Sequence, residues 1–285
     1  MNAVPQYTPP VLQRYELKFF VPESLIEPIS QFVSVYCTLD KYSETASDHF
    51  YTINNLYIDS PQLTFLKNRI NNKDNRFNMR IRTYGNNPQP PYFLEIKQKS
   101  GSVLRKIRGK IGQREWPHVL KDPLFLLKET SDQKNCDNIS TYIRLALTYN
   151  AEPKVFAQYK RKAYFSICDD YARVTFDKSL RYRPENDYII MPDAESLLPC
   201  DHPAVFGNRG NVVLELKCYT TYVPLWMIDL IRTFQLQRTS FSKYVNAMRE
   251  YYKTLKFSDE AIITPCEMNP NHNMTFYPDT SFSAG

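Results

Sequence analysis

Three separate tripeptides place a glutamate two residues before a lysine, with an apolar residue between the two. They are Glu16-Leu17-Lys18, Glu95-Ile96-Lys97 and Glu215-Leu216-Lys217. In a β-strand, residues two apart point to the same face, so each tripeptide puts a carboxylate and an ammonium on one side and an apolar side chain on the other. Taken alone, each tripeptide is typical of a half-exposed strand whose charges lie in water.

Four further segments repeat this alternation, and their polar positions are mostly basic. These positions are Arg80 and Arg82 in residues 78–84, Lys106, Arg108 and Lys110 in residues 104–110, Tyr159 and Arg161 in residues 158–164, and Arg173, Thr175 and Asp177 in residues 172–177. Like charges on one strand face repel, so the array is costly unless an anion lies among them. Closed into a barrel, such strands would line a cationic lumen that suits a polyanion together with a divalent metal.

The ordered set of segments resembles the polyphosphate polymerase (VTC-type) domain of the triphosphate tunnel metalloenzyme superfamily, over residues 10–255. The matching stretches are RYELKFFVP (14–22), LYIDSP (56–61), FNMRIRTYG (77–85), FLEIKQKSG (93–101), YKRKAYFS (159–166), YARVTFD (171–177), LELKCY (214–219) and FSKYV (241–245). The resemblance implies an α+β fold, in which an antiparallel eight-stranded β tunnel forms a closed barrel with helices packed outside. It also implies that the protein binds a nucleoside triphosphate and a divalent metal and makes polyphosphate.

The resemblance further implies a role for each matching residue. The residues expected to act in catalysis are Lys18, Arg80, Arg82, Lys97, Arg161, Arg173 and Lys217. Those expected to bind phosphate are Tyr159, Ser242, Lys243 and either Lys106 or Arg108, because the basic run at 104–110 leaves its register open. Glu215 is the expected ligand of the metal, Mn²⁺ or Mg²⁺.

One departure from the superfamily pattern bears on the reaction. The hydrolases of the superfamily begin with Glu-x-Glu-x-Lys, whereas Arg14 stands here in place of the first glutamate. Losing a carboxylate weakens a hydrolase-type metal site, which favours transfer of the terminal phosphoryl group of ATP to a growing polyphosphate chain. Two alternatives share most of these residues. With water as the acceptor the protein would be a triphosphatase or polyphosphatase, and without turnover it would be a binding module for polyphosphate or inositol phosphates.

Composition and motifs narrow the possible ligands, metal sites and location of the protein. The net charge of +6 does not by itself predict nucleic-acid binding, and the chain has neither a GxxxxGK[ST] nor a GxGxxG loop, so side chains must hold phosphate. Six dispersed cysteines without a Cys-x-x-Cys pair predict reduced thiols in a cytoplasmic protein, with no zinc site. No apolar run reaches the ~18 residues of a membrane span, although a membrane partner stays open. We expect an irregular lead-in at residues 1–12, the tunnel domain at 13–255 and a tail at 256–285.

Overall fold

The computed structural model describes residues 14–101, 103–122, 132–202, 206–207, 210–219 and 223–255. The expected lead-in and tail lie outside these residues. Within them, eleven strands form one antiparallel sheet, and the long strands are rich in the β-branched and aromatic residues that favour strands. The strands are β1 (Arg14–Val21), β2 (Cys37–Leu39), β3 (Tyr51–Asp59), β4 (Asn75–Tyr84), β5 (Tyr92–Ser100), β6 (Val103–Ile111), β7 (Glu152–Ser166), β8 (Ala172–Pro184), β9 (Leu198–Pro199), β10 (Val212–Tyr219) and β11 (Arg238–Thr239).

The sheet order is β11-β1-β10-β8-β7-β3-β4-β5-β6, with β2 beside β7 and β9 beside β8. A 3-10 turn (Glu23–Leu25) and seven helices accompany the strands in the described part of the chain. The helices are α1 (Ile26–Ser34), α2 (Lys41–Thr45), α3 (Thr64–Ile70), α4 (His118–Lys121), α5 (Gln133–Thr148), α6 (Leu225–Thr233) and α7 (Lys243–Thr254).

The strand register sorts the side chains onto two faces. Residues that pair across an antiparallel ladder share a face, and Lys18 pairs with Glu215, which pairs in turn with Thr175. The charged positions of the long strands therefore form one continuous surface, which we call the inner face. The opposite, outer face carries apolar positions such as Phe19, Ile81 and Leu216, and the part of the inner face under the C-terminal helix is apolar as well.

Helices cover both faces, but unequally. On the outer face, Ile29 and Val33 of α1 and Met227 of α6 pack with Phe19 and Leu216 in one buried cluster. A second outer cluster joins α3, α4 and α5 to β4, β5 and β6. Helix α7 differs, because Tyr244 stacks on Tyr57 of the inner face with ring centroids 4.9 Å apart. Helices α1, α3, α4, α5 and α6 therefore pack on the outer face, as expected, whereas α7 covers part of the inner face.

The expectation of an eight-stranded closed barrel is not confirmed. Eight strands have eight residues or more, but three further strands of two or three residues are too short to show alternation in the sequence. The sheet also stays open in the described residues, with β6 and β11 at its edges. On the second edge of β1, the short strand β11 pairs with Lys18 and Phe19.

The open sheet is nevertheless strongly curved. Lys97 on β5 donates a hydrogen bond of 2.7 Å to Glu16 on β1, although five strands lie between β1 and β5 in the sheet order. A side-chain hydrogen bond thus connects β1 and β5, which are not paired through their backbones. The inner face is consequently a basic groove with facing walls.

The LYIDSP stretch has a structural role in this fold. The buried carboxylate of Asp59 accepts hydrogen bonds from the backbone amides of Phe65 and Leu66, at 2.9 and 2.8 Å, and from the hydroxyl of Tyr244, at 2.7 Å. Side-chain acceptors at a helix N-terminus satisfy amides that lack a partner within the helix. Asp59 therefore fastens β3 to α3 and to α7.

Candidate functional site

The structure brings the predicted site residues together on and beside the inner face. Eleven of them occupy inner positions of seven strands, namely Lys18, Arg80, Arg82, Lys97, Lys106, Arg108, Tyr159, Arg161, Arg173, Glu215 and Lys217. The register left open at 104–110 places both Lys106 and Arg108 on this face, opposite Lys97 and Glu95. Ser242 caps α7 and accepts a hydrogen bond from the amide of Val245 at 3.5 Å, and Lys243 follows it.

Glu95 is the common partner of one group of cations. Its side chain is only 1% exposed. It accepts hydrogen bonds from Arg80 Nη2 at 2.6 Å and from Arg108 Nε at 2.6 Å, and Lys106 Nζ lies 2.9 Å away. Arg82 Nε lies 3.7 Å from the same carboxylate. Burial alone would raise the pKa of Glu95, but the charges of Arg82 and Arg80 and the two other cations hold it well below its usual value.

Asp177 is the partner of a second group. Its fully buried carboxylate accepts two hydrogen bonds of 2.7 Å from Arg161 and one of 2.5 Å from Lys243. The Lys243 ammonium also lies 4.4 Å from the ring centroid of Tyr159. Burial alone would raise the pKa of Tyr159, but Arg161, Arg82 and Lys243 lower it to about 8. The Tyr159 side chain is thus surrounded by cations that also face the groove.

The Asp177 group predicts a pH-dependent stability. Burial raises the pKa of this carboxyl, but Arg161 and Lys243 outweigh burial and lower it to about 2. The stabilisation is therefore complete above the unfolded-state pKa near 4 and is lost as the pH falls toward 2. We expect the difference in free energy of unfolding between the wild type and Asp177→Asn to be about 2 to 3 kcal/mol larger at pH 6 than at pH 2. Denaturant titrations across this range test it, and a constant difference would contradict it.

Glu16 and Glu215 form a third group with three lysines. Lys217 Nζ lies 3.1 Å from Glu215, and Lys18 Nζ lies 3.6 Å from it. Glu16 pairs with Lys97 at 2.7 Å and with Lys217 at 3.7 Å. Burial alone would raise the pKa of Glu215, but Lys217 and Lys18 hold it well below its usual value. Burial would likewise raise the pKa of Glu16, but Lys97 and Lys217 lower it, so both carboxylates are ionised at neutral pH.

This carboxylate pair is the place where a divalent metal fits. In the described part of the chain, no cluster of three or more His, Cys, Asp or Glu side chains could hold a metal alone. Mg²⁺ and similar hard cations often use only one or two carboxylates, together with phosphate oxygens and water. Glu215, with Glu16 beside it, offers such a donor set, so the residues fit a metal that arrives with a phosphate ligand.

Two buried polar atoms of the described inner face have no hydrogen-bond partner. Within the described residues, Arg173 Nε and Thr175 Oγ1 are buried and make no hydrogen bond. Buried polar atoms are nearly always hydrogen-bonded, so such exceptions require an explanation. Thr175 lies opposite Glu215 in the ladder, and Arg173 lies opposite Lys217. Oxygen atoms of an anion bound next to the carboxylate pair would satisfy the Arg173 donor and accept from the Thr175 hydroxyl.

Sequence reasoning missed the internal counterions. The repulsion expected among the cations is partly relieved by Glu95 and Asp177, and Glu16 adds a further carboxylate. A signal for two of them was present, since Glu16 and Glu95 open two of the three Glu-x-Lys tripeptides. Within the described residues, the ten basic residues of the predicted site pair with these three carboxylates, with Glu215 and, for Arg173, with Asp40. An excess of positive charge therefore remains for an anionic ligand.

Comparisons with solved structures find several distant similarities. A candidate adenylate cyclase of Bacillus halodurans is 12% identical, covers 81% of this chain and 94% of its own, and has a TM-score of 0.44. A Pyrococcus horikoshii protein is 12% identical over 85% of this chain and 99% of its own, with a TM-score of 0.41. A candidate adenylyl cyclase of Hippeastrum, described as having a dominant triphosphatase activity, is 14% identical over 84% of this chain and 96% of its own, with a TM-score of 0.44.

Sequence comparisons are more decisive. No curated protein matches the chain, but residues 13–252 match the VTC domain. The match covers the eleven strands, the first six helices, α7 as far as residue 252, and every predicted site residue. None of the helices in the described ranges is long and apolar enough to cross a membrane. The resemblance drawn from the segment order is thus confirmed, and the chain belongs to the VTC domain family.

Proposed function

We propose that this protein is a polyphosphate polymerase, which transfers the terminal phosphoryl group of ATP or another nucleoside triphosphate to a polyphosphate chain in the basic groove. The observation that carries the proposal is the arrangement of ten basic side chains around a smaller number of carboxylates on one curved face, with Arg173 Nε and Thr175 Oγ1 making no hydrogen bond. A linear polyanion matches this surface better than a single phosphate, because the cations are spread over seven strands and α7.

The groove provides what phosphoryl transfer needs. This reaction depends mainly on in-line positioning and on neutralising charge on the transferred group, and hardly at all on a strong base. Arg80 and Arg82 lie on β4, Arg161 on β7 and Arg173 on β8, all on the inner face, so a phosphate chain along this face would contact guanidinium groups from three strands. Arg82 donates to Asn55 and to Tyr159, at 2.9 and 3.3 Å, which fixes its guanidinium before substrate arrives.

A divalent metal, Mn²⁺ or Mg²⁺, would be held by Glu215 with Glu16 beside it, and it would neutralise phosphate oxygens during transfer. The lysines of this group then have two tasks. In the free protein Lys18 and Lys217 keep Glu215 ionised. With substrate bound, their ammonium groups are positioned to contact phosphate oxygens in addition.

The choice of polymerase over hydrolase rests on membership of the VTC family and on Arg14 in place of a glutamate. The same groove would hydrolyse triphosphate if water reached the transferred group. For location, the five free cysteines of the described residues are compatible with the cytoplasm.

The test is to incubate the purified protein with ATP and Mn²⁺ or Mg²⁺ and to separate polyphosphate from free phosphate. We expect metal-dependent polymer. Free phosphate alone would identify a triphosphatase, and binding without either product would identify a polyphosphate or inositol phosphate binding module. Either result would overturn the proposal.

A matched pair of variants shows whether the groove makes the product. Arg173→Ala removes a guanidinium whose nearest carboxylate, Asp40, is 3.6 Å away, so the fold should tolerate the change. We expect polymer formation to fall by about 10-fold or more in kcat/KM, as for a lost charge-assisted hydrogen bond. Lys160→Ala, on the exposed side of β7, should leave activity unchanged.

A further inference from the structure

Four aromatic side chains meet at the end of the inner face where β3 begins, β4 ends and β5 begins. They are Tyr42 of α2, Tyr51 of β3, Tyr84 of β4 and Phe93 of β5, and we call them the aromatic rim. Tyr42 lies parallel to Tyr84, with centroids 5.8 Å apart and an interplanar angle of 4°. Tyr51 lies 5.5 Å from Tyr42, and Phe93 meets Tyr84 edge-on at 5.7 Å. The rim is therefore one contiguous group of rings.

The outermost ring of this group is open to solvent. Tyr42 is 46% exposed, whereas Tyr51 and Tyr84 are partly buried and pack against the core. Tyr84 lies against Tyr42, and the ammonium of Lys41 lies 5.0 Å from the Tyr42 ring centroid. A cation over an aromatic face marks a surface that also suits a flat, polarisable group. The long side chain of Lys41 is itself exposed and can leave that position.

The rim is continuous with the basic groove. The guanidinium of Arg108 lies 4.7 Å from the Phe93 ring centroid. On the other side, the Tyr51 hydroxyl donates a 3.1 Å hydrogen bond to Asp40, whose carboxylate lies 3.6 Å from Arg173. Asp40 also accepts from the amide of Ser43 at 2.8 Å and so caps α2, the helix that carries Tyr42. Asp40 therefore links the position of the exposed Tyr42 ring to that of Arg173, an expected phosphate ligand.

We propose that the aromatic rim binds the nucleobase of the nucleoside triphosphate, which stacks on Tyr42 while its phosphates lie in the groove. This inference rests on the proposed function, because the same phosphates must occupy the groove. Stacking of bases on aromatic side chains tolerates any base, since every base has a π-face. The rim would thus distinguish a nucleotide from inorganic polyphosphate without selecting strongly among bases.

The experiment compares two ligands that share the triphosphate and differ in the base. Affinities for a β,γ-imido analogue of ATP and for inorganic tripolyphosphate are measured by calorimetry at fixed ionic strength, for the wild type and for Tyr42→Ala. We expect Tyr42→Ala to weaken binding of the ATP analogue roughly 5- to 100-fold, the range for loss of one stacked base. Tripolyphosphate should bind the variant as it binds the wild type.

Two further variants serve as controls. Tyr15→Ala removes a tyrosine that is also 46% exposed but lies on the outer side of β1, and it should change neither affinity. Tyr42→Trp keeps a ring without the hydroxyl, and it should bind the ATP analogue as tightly as the wild type or more tightly. Loss of binding in Tyr42→Trp would overturn stacking as the mode of recognition.

The outcomes separate this inference from the function on which it rests. If the wild type binds both ligands and Tyr42→Ala weakens both equally or neither, the nucleobase site is wrong and the basic groove stands. If the wild type binds neither ligand, the proposed function fails, and the nucleobase site fails with it.

Discussion

Replacing Glu95 with glutamine is expected to lower the free energy of unfolding of the ligand-free protein by about 3 to 5 kcal/mol, the cost of breaking a buried ion pair on one side. The carboxylate lies within 3.7 Å of Arg80, Arg82 and Lys106 and bonds Arg108 as well. A glutamine at this position is neutral and turns an amide donor toward these donors, so four cations lose their shared counterion. Denaturant titration of both proteins at low salt measures the effect.

The same variant should be rescued by a polyanion. Phosphate oxygens can take the place of the lost carboxylate, so tripolyphosphate should raise the melting temperature of Glu95→Gln more than that of the wild type. Monophosphate should do so less, because it reaches fewer cations, and rising salt should reduce both effects.

The matched control is Glu152→Gln, which neutralises a carboxylate that is 53% exposed and pairs with Lys154 at the surface. Such pairs contribute about 0 to 1 kcal/mol. If Glu95→Gln costs no more than Glu152→Gln, or if tripolyphosphate stabilises the variant less than the wild type, Glu95 is not the counterion of the groove.

Replacing Glu215 with glutamine should abolish metal-dependent turnover of ATP while triphosphate binding persists. Glu215 is the carboxylate that Lys18 and Lys217 keep ionised, and it is the main candidate ligand for the metal. Neutralising it removes the metal ligand, and it also removes a negative charge that opposes phosphate. Because a bound metal supplies several kcal/mol of charge stabilisation in the transition state, kcat should fall on the order of 100-fold or more.

Two measurements on Glu215→Gln separate turnover from binding. Product formation is followed against Mn²⁺ or Mg²⁺ concentration, and tripolyphosphate affinity is measured without metal. The affinity should equal or exceed that of the wild type, while Glu152→Gln should match the wild type in both assays. Full activity of Glu215→Gln at ordinary metal concentration would show that the metal is held elsewhere.

The sequence predicted the division of side chains between the two faces better than it predicted how the sheet ends. Alternation has a period of two and is a local property, so Arg80, Arg82, Arg161 and Arg173 could be assigned to one face before any strand partner was known. The choice between Lys106 and Arg108 was unnecessary, because both lie on that face. Closure of the barrel is not confirmed, since the pairing of the edge strands β6 and β11 depends on contacts between distant segments.

The carboxylates are an example of side chains whose partners cannot be predicted from the local sequence. Glu16 and Glu95 stand in equivalent tripeptides, yet Glu95 is surrounded by cations of β4 and β6, whereas Glu16 lies beside Glu215. The tripeptides themselves do not distinguish them, because the difference lies in their partners. Those of Glu95 come from the adjacent strands β4 and β6, 13 residues away for Arg108 and 15 for Arg80, whereas Glu16 meets Lys97 from 81 residues away. Asp177 was seen as one charged position on a strand, and only its contacts with Arg161 and Lys243 make it a counterion.

By itself, the sequence determined that this chain builds amphipathic strands with a basic face, and that the ordered segments belong to the VTC domain. Tertiary structure alone decided which cations share a carboxylate, that α7 covers part of the inner face, and that Tyr42 joins three rings at its rim. The physical reason is the distance along the chain over which the deciding contacts act. Strand alternation is imposed by the backbone at each residue, but curvature, edge pairing and helix docking depend on contacts between segments far apart in the chain, and they bring Lys97 to Glu16 across five intervening strands.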